Sequence, residues 1–314
     1  MARKKKGDPV SGWICLDKAY DMTSTQAVGK LRWMYNAQKA GHAGTLDPLA
    51  TGILPIALGE ATKTVPFMMD ADKTYQFSIS WGRTTATYDR EGDVLDTSDV
   101  RPSRDAIEAA LPQFVGDISQ VPPAFSAIKV DGERAYDLAR AGQEVVLSAR
   151  IVTIHGARIL DIPDADQVDL EIDCGKGVYV RGLVRDLALA LGACGHVSAL
   201  RRTRVGPFTQ DRAITLEMLE DLRHKPGWLE ALLPVETALD DIPELAVTAE
   251  DAFRLKQGRP IVLVPRQVET LASRLKPGTR TVSALADGRI VALCEMRMGR
   301  LEPTRVFHIE RAET

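Results

Sequence analysis

The segment Lys73 to Trp81 alternates strictly between apolar and polar side chains, and this pattern restricts the possible folds of the chain more than any other. Tyr75, Phe77, Ile79 and Trp81 fall on one face, and Thr74, Gln76, Ser78 and Ser80 fall on the other. A period of two predicts a half-buried strand, and one polar face is typical of an antiparallel sheet. The segment Asp166 to Cys174 repeats the pattern.

Two segments have helical spacing instead. Thr23 and Gln26 form a capping-box signature ahead of an apolar stripe, and Tyr179 to Leu191 is amphipathic with period 3.6. Helices and strands alternate without a sustained βαβ rhythm. The sequence therefore predicts an α+β fold with a mainly antiparallel sheet flanked by helices.

The chain has 314 residues, which suggests about two domains. A boundary is predicted near residues 234–243, with a large domain at 10–235 and a small, mostly β module at 240–314. In that module Thr248 to Gln257 reads as a short helix. Asp287-Gly288 joins two apolar runs as a type I′ hairpin turn would.

Residues 121–150 form a separate feature, because they open on Pro122-Pro123 and carry mixed charge. We expect an excursion from the sheet. The pattern alone leaves open whether the excursion is a functional clamp or a structural insertion.

Several classes of site are excluded by missing motifs. The four cysteines contain no C-x-x-C pair, the five histidines are dispersed, and no G-x-G-x-x-G or P-loop motif occurs. Nothing calls for a metal, a nucleotide cofactor or a disulfide. The start of the chain does not look like a secretory signal and the apolar runs are short, so a cytoplasmic location is expected.

The segment Gly41 to Gly59 is the most unusual of the chain. It holds four glycines and two prolines, which impose tight turns, and its one carboxylate is Asp47. Such a loop usually places a functional group. The alternative is that Asp47 only caps a helix beginning at Pro48.

GHAGTLDPLATG resembles the signature loop of the TruB family of tRNA pseudouridine-55 synthases, and other motifs follow that family in order. Asp17-Lys18 with Thr23-Ser24 is similar to its first motif, although the family usually has Pro at Ala19 and Gly at Asp21. The resemblance covers about residues 10 to 225. Its further motifs are Gly59 to Lys63, Lys73 to Tyr75, Gly175 to Arg181 and Leu200 to Thr203.

The resemblance implies a pseudouridine synthase fold with a thumb-like insertion at about 121–150, and isomerisation of a tRNA T-loop uridine without a cofactor or metal. It implies Asp47 as nucleophile, Tyr75 as the wall and proton acceptor, and Arg181 as the partner that keeps Asp47 ionised. From the residues alone, the alternation favours a core tyrosine at Tyr75. Arg181 could be a surface arginine, although the like charge of Arg185 one turn later favours a partner elsewhere.

The resemblance also implies substrate-binding residues. His42 would fill the space left by the flipped nucleotide, and Tyr179 and Leu200 would line its pocket. Lys18 belongs to the first motif and is expected to contact substrate. Structural packing is the alternative for His42 and Leu200.

Segment 240–314 is similar to a PUA domain, which is an RNA-binding fold. Lys129, Arg201, Arg202 and Arg204 are candidates for phosphate contacts. The expected partner is the tRNA T arm, with no obligatory protein partner, no membrane and a monomeric enzyme.

The formal charge of −3 seems to argue against a nucleic-acid partner. However, residues 176–204 hold six basic residues and one acidic residue, whereas residues 211–251 hold three basic and eleven acidic residues. The near-neutral net charge is therefore the sum of a basic strip at residues 176–204 and an acidic segment that follows it. Salt-sensitive tRNA binding through the basic strip is expected.

Two other classes of function remain open. One is a non-catalytic RNA-binding protein that retains the fold, although such a protein does not need Asp47, Tyr75 and Arg181 together. The other is a dyskerin-like enzyme that uses guide RNA and protein partners. Against it, this chain lacks long charged tails.

Overall fold

A computed structural model describes residues 7–309 except 127, 131, 144, 224 and 226. Of residues 129, 130, 134, 137, 139 and 140 it describes the backbone only. No helix in these ranges is long and apolar enough to cross a membrane.

A central sheet of nine strands carries the candidate site. Its order is β1-β3-β12-β4-β11-β10-β7, with β2 paired to β3 and β13 to β12. All pairs are antiparallel except β3 with β12, which confirms the predicted mainly antiparallel α+β fold. The strands of the first 240 residues are β1 Gly12–Lys18, β2 Ala40–His42, β3 Thr51–Leu58, β4 Lys73–Trp81, β5 Arg83–Thr85, β6 Val94–Thr97, β7 Gly116–Gln120, β8 Lys129–Val130, β9 Glu133–Arg134, β10 Arg150–Asp164, β11 Gln167–Cys174, β12 Gly195–Val205 and β13 Phe208–Thr209.

The helices flank this sheet and the smaller one that follows it. They are α1 Ser24–Met34, α2 Val65–Asp70, α3 Arg104–Ala110, α4 Ala135–Arg140, α5 Val180–Ala190, α6 Leu216–Leu222, α7 Ala249–Lys256 and α8 Pro265–Arg274. Short 3₁₀ turns lie at Gly59–Lys63, Leu111–Phe114, Gln210–Arg212, Trp228–Ala231 and Val235–Leu239.

The two alternating segments form neighbouring central strands, β4 and β11, which confirms the prediction. Tyr75, Phe77 and Ile79 of β4 are buried in the main core, where α5 contributes Leu183 and Leu187. The predicted capping box of Thr23 and Gln26 begins α1. Tyr179 is the N-cap residue of α5, so the observed helix is one residue shorter at each end than the predicted one.

Residues 121–149 leave the sheet and return to it at one edge. Gln120, the last residue of β7, pairs with Arg150, the first residue of β10. The excursion therefore begins and ends at one point of the edge strand. Its described part holds β8, β9 and α4.

A second sheet of five strands forms the C-terminal part of the chain, in the order β14-β16-β17-β18-β15. Asp287 and Gly288 have φ of 50° and 72°, as the predicted type I′ turn between β16 and β17 requires. Ile290 and Phe307 share a buried cluster with Trp13 of β1, so this sheet packs directly on the first. Its strands are β14 Glu244–Ala246, β15 Ile261–Val262, β16 Thr281–Ala286, β17 Arg289–Arg297 and β18 Arg300–Val306.

Candidate active site

Asp47 lies in a turn between β2 and β3. The Ala50 amide donates to the Asp47 carbonyl oxygen at 3.0 Å, but no helix begins at Pro48. The helix-cap alternative for Asp47 is therefore wrong. Its carboxylate is 39% exposed and lies 2.9 Å from Nε of Arg181.

Three side chains from distant segments hold the backbone of this turn. The Ser24 hydroxyl lies 2.9 Å from the Leu46 amide and 3.0 Å from the Leu46 carbonyl oxygen. Lys18 Nζ donates to the Pro48 carbonyl at 3.1 Å, and Arg202 donates to the Gly44 carbonyl at 2.9 Å. The loop is therefore fixed on both sides of Asp47 before any substrate binds.

Arg181 is buried, with a side chain only 6% exposed, although it lies in the first turn of α5. Besides Asp47, its Nε lies 3.7 Å from Oδ2 of Asp89. Its Nη1 and Nη2 donate to the carbonyls of Thr87 and Phe125 at 3.1 and 2.9 Å. The surface alternative for Arg181 is wrong, and its guanidinium is held in one orientation toward Asp47.

Asp89 was not predicted from the sequence. It is buried, accepts a short hydrogen bond from the Thr87 hydroxyl, and accepts from the Glu91 amide at 3.0 Å. The polar segment around it carries no recognisable motif. The one local signal is its neighbour Tyr88, whose φ of 57° marks a constrained turn.

A cavity of about 310 Å³ opens beside Asp47, a size that suits a small planar ligand. Six of the sequence candidates line it together, namely Asp47, Tyr75, Tyr179, Arg181, Leu200 and Arg202. Residues from a loop, two strands and a helix therefore converge on one space.

Tyr75 forms an apolar wall of this cavity and is 9% exposed. Burial raises the pKa of its phenol, and this effect outweighs the lowering by the nearby Arg202 guanidinium. That guanidinium lies 6.0 Å from the ring centre. Tyr75 is thus a neutral phenol at neutral pH, with one ring face toward the cavity.

Tyr179 and Leu200 lie at the same cavity in different ways. Tyr179 precedes α5, and burial raises the pKa of its phenol. Leu200 is half-buried on β12, opposite Phe77 of β4. Leu200 also packs against the main core, so its two interpretations are compatible.

His42 ends β2 and lines a second cavity of about 500 Å³, which Asp47 and Arg181 also line. Burial, with a contribution from Arg202, lowers the pKa of the imidazole. Its buried Nδ1 has no hydrogen-bond partner among the described residues. The neutral His42 ring therefore lies at the start of the loop that carries Asp47.

Lys18 and Arg202 are both buried and bind backbone carbonyls of the protein, although Arg202 also lines the 310 Å³ cavity. Lys18 is fully buried, and its Nζ donates to the carbonyls of Ala19, Met22 and Pro48. Arg202 is 1% exposed, and its guanidinium donates to the Ile53 and Gly44 carbonyls. Both cations therefore hold the backbone of the Asp47 loop.

The predicted basic strip is neutralised by carboxylates from other segments. Arg201 pairs with Asp17 at 2.6 Å, and Arg204 pairs with Asp173 at 3.2 Å. Lys176 pairs in the same way with Asp70 at 2.8 Å. Each of these cations stays partly exposed. The Lys129 side chain lies outside the described residues.

Two family models match adjacent parts of the chain. Residues 32–180 match the TruB family pseudouridylate synthase N-terminal domain. Residues 181–240 match the tRNA pseudouridylate synthase B C-terminal domain. The first match ends, and the second begins, at the start of the helix that carries Arg181.

Curated relatives agree over the full chain. The tRNA pseudouridine synthase B of Caulobacter vibrioides is 68% identical over 98% of this chain and 100% of its own length. The protein of that name from Dinoroseobacter shibae is 53% identical, with 98% of both chains covered. Among solved structures, a chain of a Cbf5-Nop10-Gar1 complex has a TM-score of 0.71 and 26% identity, covering 95% of this chain and 85% of that one. The expected pseudouridine synthase fold is confirmed, and the chain belongs to the TruB family.

Proposed function

We propose that this chain is a tRNA pseudouridine synthase that isomerises the T-loop uridine at tRNA position 55 to pseudouridine. The observation that carries the proposal is the Asp47 carboxylate, which is held by the buried Arg181 and faces a cavity walled by Tyr75. Membership of the family and the name of the Caulobacter relative support tRNA as the substrate.

The reaction needs a nucleophile beside the nucleotide and a surface that retains the detached base. Asp47 attacks the nucleotide, and the C1′–N1 bond breaks with its electron pair moving to the uracil. The uracil then turns, C5 bonds to C1′, and Asp47 is released. The proton lost from C5 is balanced by the proton gained at N1, so no oxidant, reductant or cofactor is consumed.

Arg181 pairs with Asp47 at 2.9 Å and orients its carboxylate toward the cavity. Tyr75 is the wall against which the detached uracil turns. The uncharged phenol ring of Tyr75 can serve as this wall without a change of protonation. Accepting the C5 proton requires the phenolate, which the Arg202 guanidinium near the Tyr75 ring stabilises.

RNA binding surrounds this chemistry. A uridine within a folded T loop must leave its stack to reach Asp47. His42 fills the vacated space, while Tyr179 and Leu200 line the nucleotide pocket. Arg201 and Lys129 contact phosphates, and the PUA-like segment 240–314 contacts RNA beyond the loop. The enzyme acts as a monomer in the cytoplasm, where its tRNA substrate is found.

An Asp47→Asn variant tests the proposal. On a T-arm hairpin with tritium at uridine C5, the wild type is expected to release the label, and the variant is expected to release none while binding the hairpin within a fewfold of wild type. Asp99→Asn is the matched control, because Asp99 is exposed and lines neither of the cavities beside Asp47. Full release of tritium by Asp47→Asn would overturn the mechanism.

The purified wild type also separates this proposal from the two other classes. Conversion of the hairpin by the chain alone excludes dependence on guide RNA or protein partners. Tight binding without conversion favours a non-catalytic RNA-binding protein.

A further inference from the structure

The turn between β1 and α1 presents one aromatic side chain to solvent. Tyr20 lies at its tip and is 55% exposed. The next residue, Asp21, has φ of 58°, in the left-handed region where the family usually has glycine. The chain thus adopts a constrained backbone directly beside an exposed ring.

The turn is anchored from beneath by a buried cation. Lys18 Nζ donates to the carbonyls of Ala19 and Met22, at either end of the turn, at 2.9 and 2.7 Å. The same Nζ atom also donates to the carbonyl oxygen of Pro48, the residue that follows Asp47. One ammonium group therefore fixes the Tyr20 turn and the Asp47 loop relative to each other.

Tyr20 lies next to the reacting centre. It lines a small cavity together with Asp47, Arg181 and Leu200. This cavity measures about 20 Å³, which is room for one water and not for a nucleobase. A planar ligand at this position therefore has to lie on the exposed ring.

An exposed cation accompanies the ring. Arg90 lines the same cavity and is exposed. Aromatic rings beside guanidinium groups are the usual means of holding unpaired nucleotides, because every base has a stacking face and every linkage carries a negative charge. A nucleotide linked to the target uridine cannot lie far from Asp47.

We propose that Tyr20 is a stacking platform for the unpaired base of a nucleotide adjacent to the target, with Arg90 facing its phosphate. This inference rests on the proposed function, since it takes the target nucleotide to be at Asp47. It adds a substrate-binding residue within the first family motif, between Ala19 and Asp21, where this sequence departs from the family.

Steady-state kinetics on a T-arm hairpin test the proposal with two variants. Tyr20→Ala is expected to raise KM about tenfold and to leave kcat within about twofold of wild type, because stacking holds the RNA without touching the reacting atoms. Tyr20→Phe keeps the ring and is expected to match wild type. An unchanged KM for Tyr20→Ala would overturn the proposal, as would equal losses in Tyr20→Ala and Tyr20→Phe.

Hairpins with an abasic ribose on either side of the target locate the base. At one position, removal of the base is expected to weaken wild-type binding about tenfold and to leave Tyr20→Ala binding unchanged. Additive losses at both positions contradict stacking. If the wild type does not convert the intact hairpin, the proposed function itself fails; if it does and Tyr20→Ala behaves like it, only this inference fails.

Discussion

The side-chain amide of Gln120 forms two hydrogen bonds with the backbone of Tyr179. Its Oε1 accepts from the Tyr179 amide at 2.9 Å, and its Nε2 donates to the Tyr179 carbonyl at 3.2 Å. Gln120 is 1% exposed and ends β7, where residues 121–149 leave the sheet. Tyr179 stands two residues before Arg181. One buried amide thus connects the root of the excursion to the helix that carries the proposed catalytic arginine.

We predict that Gln120→Ala lowers kcat about tenfold with a smaller effect on KM. The truncation leaves the Tyr179 amide without its partner, whereas the Tyr179 carbonyl keeps its hydrogen bond from the Leu183 amide. The lost hydrogen bonds cost about 1–2 kcal/mol and loosen the first turn of α5. Gln120→Glu keeps the acceptor and loses the donor, so an intermediate kcat is expected. Thermal unfolding of each variant is the control. A lower melting temperature with wild-type kcat at 25 °C would show a purely structural role.

Arg181 contacts two carboxylates, those of Asp47 and Asp89. We expect the charge of Asp89 to affect how Arg181 holds Asp47. Asp89→Asn removes a second negative charge near the Nε atom of Arg181, which Asp47 also contacts, and is expected to lower kcat about tenfold, equivalent to about 1.4 kcal/mol. RNA affinity should not change. Asp99→Asn is the control, since Asp99 is exposed on the same segment. Equal kcat values for the two variants would contradict a positioning role for Asp89.

Buried Lys18 predicts a specific dependence of stability on pH. Burial lowers its pKa from 10.5 to about 8. Between these values the unfolded chain binds more protons than the folded chain, so the Lys18 contribution to folding rises with pH. The free energy of unfolding of wild type minus that of Lys18→Met is expected to increase from pH 8 to pH 10 by up to about 1.4 kcal/mol per pH unit.

Lys73→Met provides a second test of the same effect. Lys73 is buried against the end of α2, and its pKa is also lowered to about 8. Lys176→Met is the control for loss of a lysine side chain as such, because Lys176 is exposed. If the difference in free energy of unfolding between wild type and variant did not change from pH 8 to pH 10 for either buried lysine, the lowered pKa values of Lys18 and Lys73 would be contradicted.

The sequence allowed the local elements and the loop of Asp47 to be predicted, because they depend on short-range patterns. The alternation in β4, the capping box of α1 and the hairpin turn at Asp287 are all set by nearby residues. The expected contact between Asp47 and Arg181 is present, although the residues alone had also allowed a surface arginine.

The charges could not be predicted in this way, because their partners lie far away in the chain. Asp17 is 184 residues from Arg201, and the carbonyls bound by Arg202 are 149 and 158 residues away. Counting charges along one segment therefore overestimated the free positive charge. Asp89 and Gln120 were missed for the same reason, since each acts on a residue far along the sequence and neither belongs to a recognised motif.

Gly52 is predicted to be the least replaceable glycine near the Asp47 loop. It lies in β3 between Lys18 of β1 and Arg202 of β12. Its φ is 98°, and an added Cβ would collide with the Arg202 carbonyl oxygen and lie 3.0 Å from two further backbone atoms of Arg202. Because all three atoms belong to the Arg202 backbone within the sheet, they cannot move aside cheaply. Gly52→Ala is expected to cost at least about 3 kcal/mol and most of the activity.

Gly29→Ala is the matched control for that substitution. Gly29 is an exposed residue within α1, and nothing lies within 4 Å of an added Cβ. The same change of one methyl group should therefore stabilise the protein by about 0.5–1 kcal/mol, through helix propensity. Chemical denaturation of both variants and tritium release from the T-arm hairpin measure the contrast. If Gly52→Ala retained wild-type stability and activity, the close approach of β3 and β12 would not be what holds the Asp47 loop in place.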